Sequence, residues 1–356
     1  MQRYHAFRKN GKHVCLMTKI IRQGMRRLWF SFPPSKKLPS KGRLRSGFDG
    51  LWQSSCGTET CPSPIASPTV SVVIPTLNAE SEIGGIIGSL KRQSWVPDEI
   101  LVIDSSSEDK TVAVASGYDG VRTLVIPRNE FNHGKTRDAA VGQTSGDFIC
   151  FLTQDALPAS EQYLQTLIGP MLSDPRIGMT SGRQLAKAGA RPFECLVRQY
   201  SYPAADYIRG KERVALDGIK AYYASNCCSA YRRSAYFKTK GFTECDICED
   251  MLMAMQLIEA DFKVAYVSDA CVYHSHDYTL KKQYERNWRI GFFLEQHREQ
   301  LHGASEVGMG LDLTRKVSAE LIRQGLICEF FAFVLNCGAR FLGNRAGRLA
   351  ARQSKR

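Results

Sequence analysis

Six short polar clusters interrupt or follow apolar runs in this chain, and each carries side chains able to do chemistry. Pro75-Thr76-Leu77-Asn78 closes the run VSVVI, Asp104 closes EILVI, and Thr153-Gln154-Asp155 closes FICFL. The others are Asn132-His133-Gly134-Lys135-Thr136-Arg137, Cys248-Glu249-Asp250 and His274-Ser275-His276-Asp277. A carboxylate at a strand end can accept from N–H or hydroxyl groups, or help hold a hard divalent cation with phosphate oxygens and water completing its shell. A Gly-containing basic segment opening a helix attracts phosphate through free backbone N–H groups and the helix dipole. An acidic pair can take a proton from an attacking hydroxyl. Each cluster also has a plain reading. Asp104 can cap a helix, Thr76 and Asn78 suit a turn, and Lys135 and Arg137 suit a solvated face. Glu249-Asp250 suits a helix first turn on electrostatic grounds, and a lone His is commonly a satisfied structural residue.

The elements that must position these groups follow from periodicity. Residues 70–75, 99–104, 121–126 and 147–152 are short β-branched or apolar runs that read as strands. Between them 80–93, a run from about 109, and 135–143 read as helices, so the order predicts a largely parallel, doubly wound sheet. Ligands gather beyond the carboxyl ends of such strands, where Thr76, Asp104 and Asp155 all fall. Further on, the pattern predicts a helix to about 172, a strand over 177–183, a helix over 193–208 and a strand over 222–231. A helix over 249–260 and a strand from 262 leading to His274 follow, with basic helical sequence to the end.

In their order and spacing, the motifs VSVVIPTLNAE (70–80), LVIDSSSEDKT (101–111), FNHGKTRDAA (131–140), FLTQDALP (151–158), CED (248–250) and HSHDYTL (274–280) resemble the family 2 glycosyltransferases. The resemblance spans roughly residues 70–301. The pairing of FNHGKTR with TQDA is similar to bacterial rhamnosyltransferases. It implies a GT-A fold: an α/β, Rossmann-like mixed sheet, mainly parallel, flanked by helices and followed by a helical C-terminal extension. It also implies that Pro75, Thr76, Asn78, Asp104, Gly134, Arg137, Gln154 and Asp155 bind a nucleotide-sugar, and that Asp155 and His274 hold Mg²⁺ or Mn²⁺. Asp250 is the implied base of an inverting transfer, with Glu249 its alternate or the group that orients the acceptor. The usual Asp-x-Asp appears here as Thr153-Gln154-Asp155, which puts metal affinity in doubt more than metal use. The implied donor is dTDP-rhamnose and the acceptor a surface polysaccharide or lipid-linked oligosaccharide. The rivals are another UDP- or GDP-hexose donor, or a non-catalytic membrane- or nucleic-acid-binding protein on a degenerate transferase fold. Tyr200, Tyr202, Tyr207, Tyr222, Tyr223 and Tyr231 offer an acceptor platform, with Asn226 a further acceptor contact.

Charge and composition set the surroundings. At 356 residues and 43% hydrophobic content the chain can bury a large core. The net charge is +13, and residues 1–48 hold 13 Lys and Arg with no Asp or Glu. From Thr314 onward nine basic residues face Glu320 and Glu329, so the intervening body is mildly acidic. In the leader Val14, Met17, Ile21, Met25, Leu28 and Phe32 recur at three- and four-residue steps among Lys12, Lys19, Arg22, Arg26 and Arg27, the pattern of an interfacial helix. Residues 33–68 are rich in Pro, Ser and Gly and read as linker. The expected organisation is a basic leader and linker (1–68), a catalytic domain (69–276) and a basic amphipathic helical region (277–356). No apolar run reaches the roughly 20 residues that span a bilayer. These features predict a cytoplasmic protein lying on the inner face of the plasma membrane. The 12 cysteines fall in core-like runs as often as in loops, as reduced cysteines do. Cys245-x-x-Cys248 lacks a second pair for a zinc site.

Overall fold

The computed structural model describes residues 67–301 and 307–354, all within one compact unit, Pro64–Arg356. The leader helix and most of the linker expected from the sequence lie outside the described residues. Nine strands form one sheet: β1 (Val70–Thr76), β2 (Glu99–Asp104), β3 (Val121–Val125), β4 (Phe148–Leu152), β5 (Leu157–Pro158), β6 (Ile177–Leu185), β7 (Tyr207–Arg209), β8 (Cys228–Arg232) and β9 (Lys263–Tyr273). The helices are α1 (Ile83–Lys91), α2 (Thr111–Ser116), α3 (His133–Gly142), α4 (Tyr163–Ser173), α5 (Pro192–Ser201), α6 (Lys211–Asp217), α7 (Arg233–Tyr236), α8 (Glu249–Glu259), α9 (Leu280–Gln296), α10 (Val307–Arg323) and α11 (Ile327–Ser354).

The strand order is β3-β2-β1-β4-β8-β6-β9-β5, with β7 on β9. β3, β2, β1 and β4 are mutually parallel, as alternating strands and helices require. The second half is mixed: β8 runs antiparallel to both β4 and β6, while β6 and β9 are parallel. Side-chain alternation splits the core into two layers. Val72 and Ile74 of β1 pack with Ile83, Ile86, Ile87 and Leu90 of α1 on one face, whereas Val73 joins Ile103, Phe151, Leu252 and Met253 on the other.

Three registers place the chemistry. Thr76 pairs with Asp104, so the ends of β1 and β2 coincide. β5 pairs Leu157 with Tyr273, which carries Asp155 next to the segment after β9. The His274 N–H then donates to Leu185 O at 2.8 Å, extending the β6–β9 pairing past the strand.

Two elements differ from the periodic pattern. The helix expected over 193–208 stops at Ser201, because Pro203 follows and restricts its predecessor. Tyr207–Arg209 then joins the sheet, with Tyr207 stacked on Tyr266 at 4.7 Å between ring centres. The strand expected over 222–231 begins only at Cys228, since Gly218–Tyr222 winds as a 3₁₀ turn. The C-terminal helices are bound to the body rather than appended to it: Val317 and Leu321 of α10 and Phe333 of α11 share a core with Phe193, Leu196 and Val197 of α5. α9 and α11 pack closely through glycine. A Cβ on Gly347 would lie 1.9 Å from Trp288 O, and one on Gly343 2.3 Å from Tyr284 O.

Candidate active site

Asp155, His274 and His276 converge at the edge where β4 ends and β9 leaves the sheet. His274 Nε2 lies 3.4 Å from Asp155 Oδ1 and His276 Nδ1 3.4 Å from Asp155 Oδ2. All three ligating atoms fall within 4.8 Å of one another, the only such group among the described residues. One carboxylate oxygen and two imidazole nitrogens at this spacing fit a divalent cation. His274 Nδ1 donates to Gln184 Oε1 at 2.9 Å, which turns Nε2 toward Asp155. Gln184 is itself fixed by Arg198 (2.6 Å) and by donation to Ser225 Oγ (2.9 Å). His276 stacks on Tyr278 at 4.6 Å. Burial would raise the Asp155 carboxyl, but His274, His276 and Lys187 outweigh it and hold it well below the usual carboxylate range. Burial and the neighbouring His274 push His276 down to about 4. His276 was not among the sequence-expected ligands. Its signal was the His-x-His step directly after a strand.

Across the sheet, the start of α8 sets a second cluster. The Glu249 side chain is 6% exposed and pairs with the 3% exposed Arg137 at 3.2 Å. Asn226, itself buried, donates its amide to Glu249 Oε1 (3.0 Å) and its backbone N–H to Asp250 Oδ2 (3.1 Å). Its Oδ1 accepts from Ser229 Oγ (2.9 Å) and Tyr231 OH (2.7 Å), so the amide cannot rotate freely. The two carboxylates therefore titrate apart. Burial opposes ionisation of Glu249, yet Arg137, His133 and the Asn226 amide hold its carboxyl below its ordinary value. Among the described residues the half-buried Asp250 makes no ion pair; burial and the charge of Glu249 outweigh the pull of Arg137 and push it up to about 7. That is the arrangement of a base poised near neutral pH beside a fixed anion.

The remaining expected residues divide between the cleft's edge and its framework. Asp104 is fully buried and accepts from Thr76 Oγ1 (2.9 Å), Ser107 N (2.7 Å) and Ser107 Oγ (2.5 Å). Those bonds tie together the loops after β1 and β2. Asn78, at φ 50°, donates its N–H to Ser107 Oγ and accepts from Glu108 N, clasping the same loop from the other side. Gln154 bonds both backbone groups of Leu77, at 2.6 and 3.1 Å, joining the end of β4 to the end of β1 beyond Pro75.

The geometry departs from three expectations. Asn132 Oδ1 caps α3, taking the N–H groups of Gly134 and Lys135, and Gly134 N also points at Cys245 O. The N–H groups expected to cradle phosphate already have protein partners. Gly134 is instead required by packing, because a Cβ there would sit 1.8 Å from Thr243 O. Arg137, expected to face a diphosphate, is buried against Glu249, His133 and the ring of Phe151. It serves the acidic pair. Asn226 likewise holds the carboxylates rather than opening toward an acceptor.

The profile of glycosyl transferase family 2 matches residues 71–238. The O-antigen chain rhamnosyltransferase RfbN of Salmonella typhimurium is 39% identical over 226 residues, covering 63% of this chain and 72% of that protein. The O-antigen chain rhamnosyltransferase WbaN of Salmonella anatum is 35% identical over 229 residues, covering 64% and 72%. Among solved structures, the mannosyltransferase PcManGT of Pyrobaculum calidifontis, in complex with GDP-Man and Mn²⁺, superposes with a TM-score of 0.54 at 16% identity. It covers 83% of this chain and 90% of that one, a likeness of fold. The chain belongs to glycosyl transferase family 2, and is a glycosyltransferase on the GT-A fold.

Proposed function

We propose that this enzyme moves L-rhamnose from dTDP-β-L-rhamnose, with inversion, onto a growing surface polysaccharide or lipid-linked oligosaccharide. The names of its two Salmonella relatives support the sugar and the type of acceptor. The observation that carries the chemistry is the pair of carboxylates opening α8, both held by Asn226 while Arg137 pairs with Glu249, an arrangement that pushes Asp250 up to about 7. Asp250 takes the proton of the acceptor hydroxyl as that oxygen bonds to the anomeric carbon. The bond from that carbon to the diphosphate oxygen breaks, and the electron pair leaves with the nucleoside diphosphate. Attack opposite the leaving group gives an α-rhamnoside. Glu249 stays ionised, and Asn226 aims both carboxylates.

Asp155, His274 and His276 are the residues that would hold a divalent cation, Mg²⁺ or Mn²⁺. When bound, it neutralises charge building on the departing diphosphate. The loops tied by Asp104, Asn78 and Gln154 shape the cleft for the nucleotide. The test is isothermal titration and product analysis with a panel of dTDP-, UDP- and GDP-sugars. Preference for dTDP-rhamnose supports the assignment, and equal or better use of a UDP- or GDP-hexose rejects it.

The acceptor implies work at a membrane surface. No described helix is long and apolar enough to cross a bilayer. On α11, however, Ile327, Phe331, Val334, Leu335, Phe341, Leu342 and Leu349 are all exposed. At 100° per residue they fall within an arc of about 120°. Phe333, Asn336, Gly343, Gly347 and Ala351 are buried on the opposite side. With the basic excess after Thr314, this stripe supports peripheral attachment to an anionic bilayer from the cytoplasmic side.

A further inference from the structure

A cavity of about 1290 Å³ lies between the later strands and the C-terminal helices, and neither Asp155 nor Asp250 lines it. Its charge is one-sided: among the lining residues seven are Lys or Arg and two are acidic. One of the two acids, Glu295, is already shared by Arg352 (2.7 Å), Arg298 (3.6 Å) and Arg348 (3.6 Å). The other, Asp312, is paired with Lys316 at 2.8 Å. Cations thus outnumber carboxylates in a concave, partly apolar space, where an anion is held far more firmly than on an open surface.

Other lining residues are of another kind. Tyr200, Tyr202, Tyr207, Tyr223 and Tyr266 line the cavity with Ser225. Tyr207 and Tyr266 stack on each other, and the group gives the cavity an aromatic surface against which apolar parts of a ligand can pack. Ser225 receives the Gln184 amide that orients His274, and it immediately precedes Asn226, which holds Asp250. One loop therefore forms both the wall of this chamber and the support of the proposed base.

We propose that this chamber binds the acceptor through a phosphate or diphosphate group carried behind its sugar, with the arginines of α11 and Lys220 taking the anion. The inference rests on the glycosyl-transfer reading and names the acceptor's chemical class. That phosphate chemistry has two sources, a lipid headgroup or a free phosphorylated glycan.

The test is isothermal titration of the full-length protein with geranyl diphosphate, and separately with inorganic pyrophosphate. Saturating dTDP and Mn²⁺ occupy the donor site throughout. Binding of either probe is expected, and the double variant Lys220→Ala/Arg345→Ala, both exposed positions, should weaken it about tenfold or more by removing charge-assisted contacts. dTDP affinity of the variant should stay within about twofold, since neither residue touches the donor loops. Tighter binding of geranyl diphosphate than of pyrophosphate supports a lipid-borne acceptor, and equal binding supports a free phosphate. Failure of both probes to bind, or binding unchanged in the variant, overturns the proposal. Probe binding is read without turnover, so a loss of rhamnosyl transfer alone would overturn the donor assignment and leave the chamber standing.

Discussion

Asn226 donates its backbone N–H to Asp250 at 3.1 Å while its side-chain amide holds the adjacent Glu249 at 3.0 Å. One residue thus fixes two neighbouring carboxylates, and the Arg137 guanidinium sits on only one of them, Glu249. This asymmetry leaves Asp250 the more basic group and gives the site a defined pH response.

For a base, the deprotonated form is active. With Asp250 pushed up to about 7, kcat/KM should rise with pH through about 7 and fall roughly tenfold per unit well below it. Glu249→Gln removes the charge that is the second cause of that elevation, so the midpoint of the profile should move to lower pH. A profile flat from pH 5.5 to 8 would exclude titration of the base in this range.

The three groups proposed to hold a cation, Asp155, His274 and His276, give a separate readout. His276→Ala should weaken Mn²⁺ binding and leave thermal stability nearly unchanged, as the side chain is partly exposed. Gln184→Ala, which frees the His274 ring to turn, should weaken Mn²⁺ affinity about 10- to 100-fold. Titration of the apoprotein with Mn²⁺ measures both, and unchanged affinity in His276→Ala would remove it from the set.

Gly134 tests packing against ligand binding. Gly134→Ala drives a methyl group into the Thr243 backbone and should cost about 1–3 kcal/mol of stability by overpacking. Lys135→Ala, at an exposed position one residue on, should leave stability within about 0.5 kcal/mol. Denaturant titration of the two variants decides. A fully stable Gly134→Ala with weakened donor binding would restore the phosphate role.

On α11, the triple change Phe331→Glu/Leu335→Glu/Leu342→Glu places charge on the exposed stripe. It should abolish cosedimentation with anionic vesicles while the melting temperature holds, because these side chains face solvent. Retained sedimentation would move the attachment elsewhere in the chain.

Much of the parallel half of the sheet was legible because its signals are local. The runs ending in Thr76, Asp104 and Leu152 are buried on both faces, so their strand character and shared edge follow from apolar content and alternation with helices. Asp155 and the Glu249-Asp250 pair were expected because their motifs resemble those of family 2 glycosyltransferases. What escaped depends on distant partners. Arg137 reads as a phosphate ligand until Glu249, more than a hundred residues on, is seen beside it. Gly134 reads as an anion loop until the backbone at Thr243 is seen against it. His276 gained meaning only when β5 brought Asp155 alongside the end of β9. Tyr207–Arg209 continued a helical pattern in sequence, and only its place on the edge of β9 makes it a strand.

The most direct measurement is transfer by purified full-length protein supplied with dTDP-β-L-rhamnose, Mn²⁺ and a glycan acceptor, with the product's anomeric configuration read by NMR for wild type and Asp250→Asn. An α-linked rhamnoside from the wild type, and a loss of about 10²- to 10⁴-fold in the variant with dTDP binding intact, is the predicted result. A β-linked product, or an Asp250→Asn enzyme as active as the wild type, would contradict it.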